Sequence, residues 1–176
     1  MLPNGSRRYW TVGNHDERVD KYLVDHAPEL ADYAGSLVDR FAEWSFCWQL
    51  IVNNSTVIRH RFNAGIHSAY NNAMRSGRTI VTNDTHQLAC VPVMDMNGRR
   101  YGVETGMLGN PEGPQFQYGE AKPTRHSPGF ALLTFDEDGS ILPPELAEWQ
   151  RGAMWFRGRT WGTDKPRYRV PAGRAG

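Results

Sequence analysis

Apolar and polar positions divide the chain into short segments. "YWTV" (Tyr9 to Val12) reads as a strand that stops at Gly13, and from Glu17 the apolar positions recur at helical spacing. Val19, Tyr22 and Leu23 share one helix face with His26, Pro28 opens a second piece carrying Leu30 and Tyr33, and Gly35 breaks it. Short helices and turns up to about Phe41 are therefore expected, not one rod. "FCWQLIV" and "TVIRHRF" flank the polar "NNS", which predicts two strands about a turn. "HSAYNNAMRSG" puts Ala69, Tyr70, Ala73 and Met74 at helical spacing and ends on Gly77, a natural C-cap; "RTIVTND" follows as a buried strand. Apolar runs on both sides of Asn97-Gly98 predict a hairpin with a type I′ turn, and Asp138-Gly139 repeats the device. Between them, Gly109 to Pro128 is a long loop rich in Gly, Pro and Gln. The order is helix, strand, strand, helix, then mostly antiparallel strands.

Composition changes this picture little. A chain of 176 residues, 39% hydrophobic and 22% charged, is long enough for one domain with a real core. A net charge of +1 gives no overall footprint for nucleic acid, so that partner has no support from charge; only Arg151 through Arg174 is locally basic. Its end, "TDKPRYRVPAGRAG", mixes Pro, Gly and Arg without periodicity and reads as a flexible basic tail over 163–176, leaving 1–162 as the domain. Cys47 and Cys90 sit in apolar surroundings without metal-type spacing, which predicts buried free thiols and a reducing compartment. With no signal-like N-terminal segment and no apolar run of membrane-spanning length, a cytoplasmic location without membrane contact is expected.

The chemistry begins at "GNHD", Gly13 to Asp16, where a strand gives way to a helix. Such junctions are where open α/β sheets bind ligands, anions especially. The simpler reading is that Asn14 or Asp16 only caps the helix. Two further polar points fall at predicted strand ends: His60 in "TVIRHRF", and Asp84 with His86 in "TIVTNDTHQL". Imidazole nitrogens and a carboxylate together suit Zn, Mn, Fe or Ni better than Ca. Taken singly, His26, His67 and His126 read as surface or hydrogen-bonded histidines.

"GNHD", a histidine after a strand, and a buried strand leading to a Thr-His pair resemble the later motifs of the calcineurin-like metallophosphoesterases, with the arrangement of phage-encoded and bacterial members. The resemblance runs from about Tyr9 to Ile141. It implies an α/β, α+β-like fold, part of a four-layer αββα sandwich of mixed sheets. It implies that Asn14 is a metal ligand that also holds the substrate phosphate, that His15 is the catalytic histidine acting on the leaving group, and that Asp16 orients His15. His60 then resembles a ligand of the second metal and His86 one of the first. Asp84 stands where the family has a further histidine, and Arg61 where it usually has glycine.

The family's Asp-x-His and Gly-Asp-x-x-Asp motifs, which precede GNHD, have no counterpart in the twelve residues ahead of Gly13. The chain thus resembles the second half of such an enzyme. The resemblance implies hydrolysis of a phosphate monoester or diester by a metal-bound water, with two ions of Mn, Zn, Fe or Ni once an N-terminal-half polypeptide, or self-association, completes the site. The chain alone is expected to be inactive. The alternatives are a non-catalytic remnant serving as a structural or binding module, and a mononuclear hydrolase built on Asn14, His60 and Asp84.

Overall fold

Residues 5–30, 37–109 and 125–162 are described by the computed structural model. In chain order they form β1 (Tyr9–Thr11), α1 (Asp16–His26), a helical turn α2 (Leu37–Arg40), β2 (Ser45–Cys47), β3 (Gln49–Val52), β4 (Thr56–Arg59), α3 (Ser68–Ser76) and β5 (Thr79–Thr82). The hairpin β6 (Leu88–Asp95) and β7 (Gly98–Thr105) follows, and then β8 (Gly129–Leu132), β9 (Glu145–Gln150), β10 (Ala153–Phe156) and β11 (Arg159–Trp161).

All four residues of β5 are buried, as the unbroken run "TIVT" predicts for a strand covered on both faces. It lies between β4 and β7, parallel to both, while β3 and β6 add antiparallel edges, giving the mixed order β3-β4-β5-β7-β6. β8 to β11 form a second, antiparallel sheet. Helix α3 packs on one face of the main sheet, where Ala73 joins Val57, Ile80 and Val93. On the other face Val81, Tyr101 and Val103 meet Ala131, Leu133, Ile141 and Leu146 from the second sheet and its approach. The layering is helix, mixed sheet, antiparallel sheet, an α/β class with α+β character. Burial of a side chain such as Ile80 or Val103 stabilises this arrangement by about 2 kcal/mol each.

Strand β1 pairs in parallel with β2 in a small separate sheet. Trp10 holds it there, with ring centroids 5.2 Å from Phe41, 5.7 Å from Trp44 and 5.6 Å from Phe46. The expected Tyr9 strand therefore exists, with a neighbour on one side and an open second edge among the described residues.

Several expectations are corrected. In α3 the inward face is Ser68, Ala69, Asn72 and Ala73, whereas Tyr70 and Met74 are 47% and 42% exposed. The cause is close approach. A Cβ on Gly102 of β7 would fall 1.7 Å from the Ala69 carbonyl oxygen, so only small residues fit between helix and sheet. In α1 Tyr22 points outward and stacks on His26 at 4.5 Å. The β6–β7 turn is centred one residue earlier than expected: Asp95 pairs with Gly98, so Met96 and Asn97 form the turn. Gly98 alone takes the left-handed backbone, and the Asp95 carboxylate accepts from the Asn97 N–H at 2.8 Å. Asn53 and Asn54, by contrast, are both left-handed, the type I′ signature, in the β3–β4 hairpin. Cys47 and Cys90 are free and only half-buried; burial still pushes the Cys90 thiol above its ordinary range. The predictions for Tyr33 and Gly35, most of the Gly109 to Pro128 loop and the basic tail fall outside the described residues.

Candidate metal centre

The site forms where β1, β4 and β5 end. After β1 the chain turns at Gly13, and the turn is closed by Asp16, whose Oδ2 accepts from the Gly13 N–H at 2.7 Å and the Trp10 indole N–H at 3.1 Å. Asp16 therefore ties the turn to the aromatic cluster instead of orienting His15, the role expected of it. Both donors go to Oδ2 of the carboxylate, and among the described residues no hydrogen bond joins Asp16 to the His15 ring. His15 is the N-cap of α1, exposed, and its side chain makes no capping bond. Asn14 is likewise not a cap.

His60, directly after β4, is the centre of the cluster. Its ring lies flat against the Gly13 backbone: a Cβ on Gly13 would stand 2.8 Å from Cγ, Cδ2 and Cε1. The glycine of "GNHD" is thus required for space. His60 Nε2 is 2.9 Å from Asn14 Oδ1 and 3.4 Å from Asp84 Oδ1, and Nδ1 is 2.8 Å from Asn83 Oδ1. The backbone N–H groups of Asn83 and Asp84 donate to the His60 carbonyl at 3.2 and 3.1 Å, locking the ends of β4 and β5 together.

This arrangement is informative about charge. A neutral imidazole has one N–H, and amide oxygens face both of its nitrogens. If Nδ1–H donates to Asn83, the Nε2 lone pair meets oxygen lone pairs from Asn14 and Asp84. The conflict at Asn14 is removed by turning its amide to present the NH2 group, and the conflict with both oxygens by a cation between the groups. The spacing fits one, because ligand atoms bound at about 2.1 Å to a tetrahedral or octahedral ion stand about 3.0–3.4 Å apart. Asn83 then acts as the partner that fixes the histidine tautomer. His60 and Asp84 are only 16% and 19% exposed, so the charge sits in a partly dry setting. Arg61 Nε approaches the other Asp84 oxygen at 3.5 Å.

His86 follows in a strained turn. Its φ of 57° is left-handed, a conformation that costs a non-glycine residue on the order of 1 kcal/mol and that concentrates at functional sites. The turn is held from below by Glu104, which is fully buried: Thr82 and Thr85 hydroxyls donate to its two oxygens at 2.9 Å each, and Asn72 reaches Thr82 at 3.4 Å. Burial first, then nearby His126, holds the His86 imidazole below its ordinary pKa, opposed by Asp84. His15 and His60 are also close enough to act on it electrostatically. The neutral form is thereby favoured. The His86 and His126 rings meet edge to face, centroids 4.8 Å apart at 72°.

The structure therefore joins Asn14, His60 and Asp84 directly, with His86 beside them and His15 at the rim. Among the described residues, no three His, Cys, Asp or Glu side chains close around one point as a finished cage. A cavity of about 180 Å³ opens beside His60, bordered by Asn14, Glu17, Trp48, Arg59 and Arg61. A larger one, about 530 Å³, lies at the opposite end of the sheet around Arg78, Arg99 and Asp138, away from every residue of this cluster. Sequence reasoning missed Asn83, Glu104 and His126. Asn83 could have been found from its place directly after a buried strand; the other two carry no local signal.

No family model and no solved structure matches the chain. It is similar to the Gene 54 proteins of two mycobacterial phages, with 28% identity to that of phage L5 and 27% to that of phage D29. Each match takes in 85% of this chain and 64% of the relative, so the chain corresponds to less than two thirds of either phage protein. No helix among the described residues is long and apolar enough to cross a membrane.

Proposed function

We propose that this chain carries part of the metal centre of a phosphoesterase and acts in the cytoplasm of a phage-infected cell. The observation that carries the reading is the convergence of His60 Nε2, Asn14 Oδ1 and Asp84 Oδ1 at separations suited to one divalent ion. The phage relatives support the setting. A bound divalent ion supplies Lewis acidity toward a phosphoryl oxygen and lowers the pKa of water. The residues supply the rest. Asn14, at the start of α1, directs an amide toward the phosphate. Arg59 and Arg61 border the cavity and offset the charge of an anionic ester. His15, exposed and not among the close contacts of His60, delivers a proton to the leaving oxygen. Ligands beyond these come from a further segment or a partner chain that carries Asp-x-His and Gly-Asp-x-x-Asp.

The test follows an aryl phosphodiester with Mn, Zn and Ni, with and without a fragment bearing those two motifs. Metal-dependent turnover is expected with the fragment. In that assembly His15→Gln lowers turnover about a hundredfold to ten-thousandfold while metal content stays near wild type. Loss of metal together with activity makes His15 a ligand and overturns its role. The second reading is a non-catalytic remnant serving as a structural or binding module. Metal binding without hydrolysis in either arm supports it.

A further inference from the structure

We propose that His126 is a metal ligand, paired with His86 on a second ion beside the one held by His60, Asn14 and Asp84; this rests on the metal-centre reading above. The resemblance leaves the first metal position with His86 alone, and no part of it points to His126.

Three observations carry the inference. The first is ring geometry. Two imidazoles bound end-on to one ion at about 2.0–2.1 Å, at a near-tetrahedral angle, have ring centroids about 5 Å apart. His86 and His126 lie at 4.8 Å, inclined at 72°. The second is that their positions are built into the backbone. The Ser127 N–H donates to the His86 carbonyl at 2.9 Å, and the Met107 N–H to the Ser127 carbonyl at 3.1 Å. Gly106, between Gln87 and Ser127, has φ 73°, and a Cβ there would lie 2.4 Å from the Ser127 oxygen. The segment carrying His126 is thereby sewn to the segment carrying His86. The third is the left-handed backbone of His86, strain held in place by the Thr85–Glu104 bond on one side and the Ser127 bond on the other. A histidine kept strained beside another histidine, within electrostatic reach of Asp84 and His15, has the donors that a borderline divalent ion takes. Asp84, 3.4 Å from His60 and within electrostatic reach of His86, is the carboxylate near both positions.

Edge-to-face packing of two aromatic rings is the competing explanation. His126→Phe separates the two, since it keeps a ring against His86 and removes the nitrogen. Co(II) is titrated into the full 176-residue chain, following the visible absorption of the bound ion and its stoichiometry by equilibrium dialysis. Wild type is expected to take up cobalt at the His60 position and at the His86–His126 position. His126→Phe should melt like wild type without metal, lose uptake at one position, and weaken cobalt binding there at least about tenfold. His60→Ala should remove the other position. Unchanged stoichiometry, affinity and spectrum in His126→Phe, with His60→Ala still impaired, overturns the His126 inference and leaves the metal-centre reading standing. Wild type that binds no cobalt at all overturns both.

Discussion

At the scale of single residues, the close fit of Gly13 under His60 gives the sharpest expectation. Gly13→Ala pushes a methyl into the imidazole and displaces it from Asn14 and Asp84. Metal affinity is expected to fall about tenfold or more, read by titration calorimetry, with a smaller effect on melting temperature because His60 lies at the rim of the core. A second expectation concerns acid. Arg100 of β7, buried beside the end of α3, donates to the Ala73 carbonyl at 2.9 Å and to Asp95 at 2.5 Å. That bond, helped by the Asn97 N–H, holds the Asp95 carboxyl at about 2 against an ordinary 3.8. Between those values the unfolded chain binds more protons, so the contribution is complete above 3.8 and is lost as pH falls toward about 2. Asp95→Asn should flatten that part of the curve of melting temperature against pH. A curve as steep as wild type removes Asp95 as its source.

At the scale of elements, the contact of α3 with β7 sets how far the main sheet can be altered. Gly102→Ala cannot be accommodated without moving helix backbone, and is expected to destabilise by about 3 kcal/mol or fail to fold, measured by denaturant titration. The turn after β5 depends on the same helix through Asn72, Thr82 and Glu104. Removing the buried carboxylate in Glu104→Ala leaves two hydroxyls without their acceptor and a void beneath the strained His86 turn. A loss of about 2–3 kcal/mol is expected. Crystallographic or NMR comparison should find the Asp84–His86 turn displaced with β5 intact; an unmoved turn would detach Glu104 from the site.

At the scale of the whole molecule, the cluster draws on segments that are far apart in sequence, from β1, β4, β5 and the approach to β8, so any ion bound there ties the layers together. Manganese or zinc at about a hundredfold over its dissociation constant should raise stability by about 2.7 kcal/mol, a shift of about 5–10 °C for a chain of this size. Chelation should reverse it and His60→Ala should abolish it. An absent shift at saturating metal would mean that the donors converge without binding.

The sequence by itself determined the order of elements, the burial of β5, the turn at Asn53-Asn54, the C-cap at Gly77 and the strand-end placement of Asn14, His60, Asp84 and His86. Each follows from local periodicity, turn chemistry or polar residues just past an apolar run. It did not determine which face of α3 turns inward, because that depends on the absence of a side chain at Gly102, on another strand. Nor did it determine that Asp16 bonds Trp10 and Gly13, or that the Asn83 amide oxygen lies 2.8 Å from His60 Nδ1. The pairing of His86 with His126 is the clearest case: the two lie 40 residues apart in sequence, and only backbone bonding across the sheet end brings their rings within 4.8 Å. Local pattern specifies what a segment is, whereas the donors around a site are set by packing between segments, which no single stretch of sequence encodes.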